Sequence, residues 1–359
     1  MVRRGFMPAL ALAAALVLSP APGARAAYDP IASGQTKLTL EKSFLSLLEQ
    51  SGVKLSAKAP ARLKAGTVSF PVSGGKFDPT TSNGVLEHEG ALLFTASGRS
   101  IPVKALQLKT TQKRSPFSAK AGGSQLKLAS AKELEVSRAG FGNKVKVTGL
   151  ALSAKLATRL AKKLRLRGVL KEGQPLGSTL TKAQPRTVRL LGKGKVTLSL
   201  DPGFQAKLAS LFVAASPIFP AERPASFTLP VAGGEIAPNA SEGRVETAGS
   251  LEFLQQGAGQ AFWADASLDL AARAFSPEAE LRPSPPFAGK LGPLSVAGFS
   301  IASAAANPKQ RTVSVTGSLA LEASTAQSFN ELFAKPQGRD GVFVAGEAVG
   351  GLAFVAQGQ

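Results

Sequence analysis

The sequence predicts a mainly β protein built as two tandem β-sandwich-like domains, each with two short amphipathic helices, and three observations carry that prediction. The first is a long internal repeat. Residues 67–94 return as 225–253, with Pro71 recurring as Pro230, Gly74-Gly75 as Gly233-Gly234, Pro79 as Pro238, Gly84 as Gly243, Gly90 as Gly249 and Phe94 as Phe253, all at one offset. A register held over that length sets the unit of folding. The second is strand periodicity inside the repeat: Val68, Phe70 and Val72 alternate with polar or small residues, and Leu86, His88, Gly90, Leu92 and Phe94 share one face of the strand that follows. The third is the close spacing of turn residues between apolar runs, as in a sandwich or barrel.

Taken in order, residues 1–26 read as a secretory leader: Arg3-Arg4, an apolar run over 9–18, then Ala24-Arg25-Ala26 as a small-residue cleavage site. That run is too short to span a bilayer and no longer one follows it, so no transmembrane span is predicted. The first domain is placed at 34–183, a connector at 184–195 on account of Pro185 and the Gly192 to Lys195 run, and the second domain at 196–356. Each domain opens with a strand and a short helix. In the first, Thr39 caps, Phe44, Leu47 and Leu48 fall at helical spacing, and Gly52 stops the turn; in the second, Asp201 caps and Pro202 takes the first helical position.

Strands are expected over 104–109, 125–129, 134–138 and 144–153. The helix that follows, 154–164, points Leu156, Leu160 and Leu164 inward and Lys155, Arg159, Lys162 and Lys163 outward. The second domain matches with a strand at 312–321, a helix at 325–333 and a closing strand at 346–355. In 261–270, simple alternation puts the only tryptophan, Trp263, on the outer face with Asp265 and Asp269, where it packs under a loop or anchors a partner.

Composition narrows the chemistry. Cysteine is absent, and both methionines lie in the leader, so thiolate chemistry and soft metal ligands are excluded from the body of the chain. One histidine cannot build a multi-histidine metal centre. A Ser-His-Asp site would have to use His88, and no G-x-S-x-G elbow accompanies it. Glu87 and Glu89 share the outward face of one strand instead of facing each other across a cleft, and no phosphate loop is present. An enzyme is therefore the least supported class, with no catalytic or metal-binding residues assigned.

Charge is divided unevenly. Residues 28–193 hold 29 Lys and Arg against 9 Asp and Glu, while 194–359 hold 11 against 14. Such asymmetry concerns association with anionic partners. Lys155, Arg159, Lys162, Lys163, Arg165 and Arg167 lie on or just beyond one helix and form the candidate anion-binding surface. Nucleic acid is disfavoured as the partner, because the basic half lacks Tyr and Trp stacking platforms and the leader marks the chain for export.

The opening Ser43-Phe44, the F-P-V-x-G-G segment at 70–75, V-L-E-H-E-G-A-L at 85–92 and G-x-P-L-G-S at 173–178 together resemble the HtaA domain family, secreted or cell-surface modules of Actinobacteria, several of which carry haem. The resemblance covers nearly all of the chain after the leader, twice. It implies a mostly β fold with two short helices, and a ligand site at Phe44, Leu47 and His88. In haem-carrying members the opening helix is similar to W-G-V-K-x-S-F-x-x-Y, with the tyrosine ligating iron and the hairpin histidine assisting. Here Leu38 stands at the Trp position and Leu47 at the Tyr position; in the second copy Lys207 replaces the tyrosine and Thr247 the histidine.

No cofactor is therefore assigned. A lone inward histidine whose sister position holds Thr reads first as a hydrogen-bonded core residue, with contact to a haem-like ligand as the alternative. Two functions stand: a secreted HtaA-like binding module of the cell envelope, or an envelope protein adhering to anionic surface polymers through its basic half.

Overall fold

A computed structural model describes residues 28–166, 168–223, 226–283 and 289–359. The leader, Arg167 and residues 224–225 and 284–288 lie outside those residues. The first half runs β1 (Asp29–Leu40), α1 (Lys42–Gln50), β2 (Lys54–Lys58), β3 (Arg62–Lys64), β4 (Thr67–Asp78), β5 (Asn83–His88), β6 (Ala91–Ala96), β7 (Arg99–Lys109), β8 (Phe117–Ala121), β9 (Ser124–Ser130), β10 (Glu133–Ala139), β11 (Gly142–Leu152), α2 (Ala154–Leu164) and β12 (Pro175–Pro185). The second runs β13 (Val188–Leu200), α3 (Pro202–Ser210), β14 (Val213–Ile218), β15 (Phe227–Ile236), β16 (Gly243–Thr247), β17 (Ser250–Gln255), β18 (Gly259–Asp269), β19 (Ala274–Pro283), β20 (Gly289–Pro293), β21 (Ala297–Asn307), β22 (Thr312–Leu321), α4 (Ala323–Phe329) and β23 (Ala348–Gly358).

The protein is mainly β, in two sheets of the same plan. The first is ordered β7-β5-β4-β1-β12-β11-β9-β8, and β8 pairs back onto β7; the second is ordered β18-β16-β15-β13-β23-β22-β21-β19, and β19 pairs back onto β18. Each sheet thus closes into a barrel, the arrangement that removes exposed strand edges. All of these pairings are antiparallel, and the inward positions build one apolar core per barrel.

Helices form where the pattern changes from period 2 to 3.6. Ser153 caps α2 by accepting from the Leu156 N–H at 3.2 Å, and Leu156, Ala157, Leu160 and Leu164 face the core. Asp201 caps α3 by accepting from the Gly203 and Phe204 N–H groups.

Four expectations need correction. Thr39 does not cap α1: it lies within β1, and Glu41 holds the cap position without a side-chain cap bond. The residues expected as a connector are mostly strand: Val188 and Leu190 begin β13 and are buried in the second core, so Arg186-Thr187 alone separate the last strand of one barrel from the first of the next. The strand expected across Leu86 to Phe94 is two strands, β5 and β6, interrupted at Gly90. Gly90 and its counterpart Gly249 have φ near 90°, and a Cβ there would lie 2.5 and 2.6 Å from the backbone nitrogens of Ala61 and Ala221.

Trp263 is not on the outer face. It is 2% exposed and sits among Phe253, Phe275 and Phe329. The register shifts between Ala264 and Ser267, where Asp265 takes φ 42°, and this bulge lets odd-numbered Trp263 and even-numbered Leu268 both point inward.

The barrels also touch. Phe141, at the tip of the β10–β11 hairpin of the first barrel, is 4% exposed and belongs to the core of the second, near Val188 and Gly358. Arg138 on the same hairpin donates to the Gln359 backbone oxygen, and Arg186 forks onto Glu242 at 2.8 and 3.1 Å.

Candidate functional site

His88, the first candidate, ends β5 with its ring 5% exposed. Its Nδ1 lies 3.0 Å from the Leu106 carbonyl, its Nε2 lies 2.6 Å from Thr36 Oγ1, and Thr36 Oγ1 is 2.7 Å from Thr181 Oγ1. A carbonyl only accepts, so Nδ1 carries the proton and Nε2 accepts from the Thr36 hydroxyl. Thr36 has then given its hydrogen, and Thr181 must donate to it. This is one directed chain, Thr181 to Thr36 to His88 to Leu106, in which every ring nitrogen is used. Burial holds the imidazole neutral by pushing its pKa down to about 4, partly offset by the Leu106 hydrogen bond.

In the second barrel Thr247 donates at 2.9 Å to the Ala266 carbonyl, and Val196 and Phe354 replace the two threonines at the same register. The position demands a donor to that carbonyl, which either side chain supplies.

Phe44 and Leu47 do not join His88 in a binding cleft. Phe44 is 2% exposed in the core, and Leu47 is half-buried at its margin. The cavity beside Thr36, lined by Phe70, Leu106, Phe117 and Thr179 among others, measures about 20 Å³, and its neighbour beside Phe44 about 10 Å³. The larger has room for about one water molecule, where a cofactor pocket takes about 300–1,000 Å³. Lys207, at the tyrosine position of the second copy, is paired with Glu347. The residues present therefore do not fit haem: the one imidazole has no free nitrogen, the helix position that would ligate is aliphatic or ion-paired, and the interior is filled.

The second candidate is on α2. Lys155, Arg159 and Lys162 line an open groove of about 450 Å³ together with Ser124, Gln125 and Thr158, between the helix and the start of β9. Arg159 donates to Ser124 Oγ at 2.9 Å, which holds its guanidinium against the groove wall. Lys163 lies on the flank by Gly122, and Arg165, exposed, closes the helix in a left-handed conformation and is not among the groove-lining residues. Arg167 lies outside the described residues.

Sequence reasoning missed the neighbouring wall, where Lys104 of β7 stands directly opposite Lys120 of β8. No local pattern joins residues so far apart in the chain. Among the described residues, none of these cations takes part in an ion pair. At the equivalent places the second barrel has Ser324, Ser328 and Glu331 on α4 and just beyond it, and Ala264 opposite Glu278 on the wall.

Among the described residues, no three His, Cys, Asp or Glu side chains are grouped to hold a metal ion, and no helix is long and apolar enough to cross a membrane. No protein-family model matches this sequence, and no curated protein matches it. Among solved structures, it is similar to the C-terminal domain of HtaA from Corynebacterium glutamicum, at 12% identity and a TM-score of 0.38, over 47% of this chain and 98% of that one. It is similar as well to the N-terminal domain of HtaA from the same organism, at 17% identity and a TM-score of 0.36, over 46% of this chain and 97% of that one.

Proposed function

We propose that this chain is an exported, non-enzymatic binding protein of the cell envelope, HtaA-like in its tandem organisation, whose first barrel adheres to anionic surface polymers. The observation that carries this reading is the α2 groove: three cations and three hydroxyl or amide side chains converge on an open concavity, with no acid among its lining residues. Ammonium and guanidinium groups with no carboxylate partner attract polyanions over about a Debye length. The hydroxyls of Ser124 and Thr158 and the amide of Gln125 add hydrogen bonds to a hydroxylated backbone. The near-neutral second barrel, with Ser324, Ser328 and Glu331 in the same places, serves as an internal comparison. The leader supports export.

The experiment is retention of the full chain, without its leader, on immobilised poly(glycerol phosphate) at low salt, followed by a salt gradient. Retention that falls steeply between about 50 and 200 mM salt is the expected result. Passage without retention at the lowest salt overturns the reading.

A further inference from the structure

The cations of the first barrel outside the α2 groove are not scattered. Lys144 of β11 stands directly opposite Lys182 of β12. One row further along, Glu135, Lys146, Leu180, Lys37, Ser69 and Arg62 lie side by side across β10, β11, β12, β1, β4 and β3, so that one carboxylate borders the cations at the β10 end. Directly opposed residues share a face, and strands are about 4.8 Å apart, so the five cations occupy a patch of about 20 by 7 Å. All five are exposed, and none forms an ion pair among the described residues.

Like charges directly opposed destabilise a sheet. The barrel itself does not require them: at the same register the second barrel sets Ser314 against Val355, and aligns Thr316, Ala353, Thr197, Thr228 and Glu222. In the ring of eight strands, β1 and β12 lie four places from β8 and β7. The patch is thus on the wall opposite the Lys104 and Lys120 pair, with β12 and β1 two and three places from β9, which lines the α2 groove.

We infer that the first barrel is bivalent: it takes one segment of a linear phosphodiester polymer in the α2 groove and a second across Lys37, Lys144 and Lys182, and so cross-links polymer chains. The inference rests on the reading that the ligand is an anionic polymer. Neither face has a buried donor set that would enclose a small anion, and both offer rows of exposed point charges, which suit repeated phosphates along an extended chain. One short segment cannot fill two separate sites, but on a coated surface each binding event raises the local concentration of chain for the next.

The test is a calorimetric titration of the full chain, without its leader, with a glycerol-phosphate oligomer just long enough to span one patch, alongside clustering of polymer-coated beads. The expected stoichiometry is two oligomers per chain. It falls to one in Lys155→Glu/Arg159→Glu/Lys162→Glu and to one in Lys37→Glu/Lys144→Glu/Lys182→Glu, and to none when the sets are combined; each triple variant still coats beads but no longer clusters them.

Unchanged urea midpoints in matching Lys→Gln and Arg→Gln variants separate lost sites from lost folding. A wild-type stoichiometry of one overturns bivalency while leaving polymer binding intact, as does clustering that survives in either triple variant through self-association. Absence of any binding sinks both readings, and binding to anionic vesicles with none to the oligomer replaces the polymer by a bilayer and overturns the proposal.

Discussion

Thr36 and His88, on β1 and β5, are joined by a 2.6 Å hydrogen bond in which the threonine hydroxyl donates to Nε2, and that one bond decides how the only histidine of the chain behaves. It uses the last free ring nitrogen. The imidazole is a buried acceptor and donor in the wall of the first barrel, available neither to a metal nor to a substrate.

His88 makes stability depend on pH. Its folded pKa, about 4, lies below the ordinary 6.5, so the unfolded chain binds more protons between those values. The contribution of the neutral ring is complete above pH 6.5 and is lost as pH falls from 6.5 to 4, amounting to about 3 kcal/mol. Urea unfolding at pH 7.5 and 4.5 measures it. His88→Thr, which keeps a donor as the second barrel does, is expected to flatten this dependence and to cost less at pH 7.5 than His88→Ala, which leaves the Leu106 carbonyl without the donor it has in the wild type. A wild-type profile no steeper than that of His88→Thr rejects the account.

Asp29 has the opposite sign. It is 2% exposed between the barrels, with one carboxylate oxygen accepting from the Arg189 N–H and the other without a partner. Burial pushes its pKa up to about 6, against the pull of Arg138. The folded state then binds more protons between pH 3.8 and 6, and this group's contribution declines as pH rises through that window. Asp29→Asn should raise the unfolding free energy at pH 7.5 by about 1–3 kcal/mol and change it little at pH 4. Equal effects at both pH values would mean that the charge is not the cause.

Phe141 ties the barrels together. Phe141→Ala removes a ring from the core of the second barrel and is expected to cost about 3–5 kcal/mol. Limited proteolysis of the intact protein should spare 188–195, because those residues are strand, whereas in Phe141→Ala cleavage near Arg186 should accelerate. Early cleavage of the wild type within 188–195 would show that the shared interface does not hold in solution.

Haemin supplies the fourth check. With His88 fully bonded and the interior filled, titration of the full chain should give no sharp Soret band, and His88→Ala should leave the spectrum unchanged. A sharp band that His88→Ala abolishes would mean that the Thr36 bond opens to admit the ligand.

What the sequence determined by itself is everything that depends on local periodicity. The repeat, the inward placement of Phe44, His88, Leu156, Leu160 and Leu164, the cap Asp201 and the excess of positive charge in one half all follow from the order of residues along the chain and from spacings within a strand or a helical turn. Pairing is a different matter, because a strand's period of two states which face is buried and not which strand lies beside it. Only the folded chain closes β8 onto β7 and β19 onto β18, and a single bulge at Asp265 reverses the parity that would place Trp263 outside.

Even near-identical strings diverge: Val145, the first valine of its string, lies opposite Thr181, while the second valine of the other, Val315, lies opposite the equivalent Phe354. For the same reason Lys144 and Lys182, or Lys104 and Lys120, are unremarkable in the sequence and become charged neighbours only when distant strands are brought to about 5 Å. Contacts of that kind are set by barrel closure and shared burial over the whole chain, and no window of residues contains them.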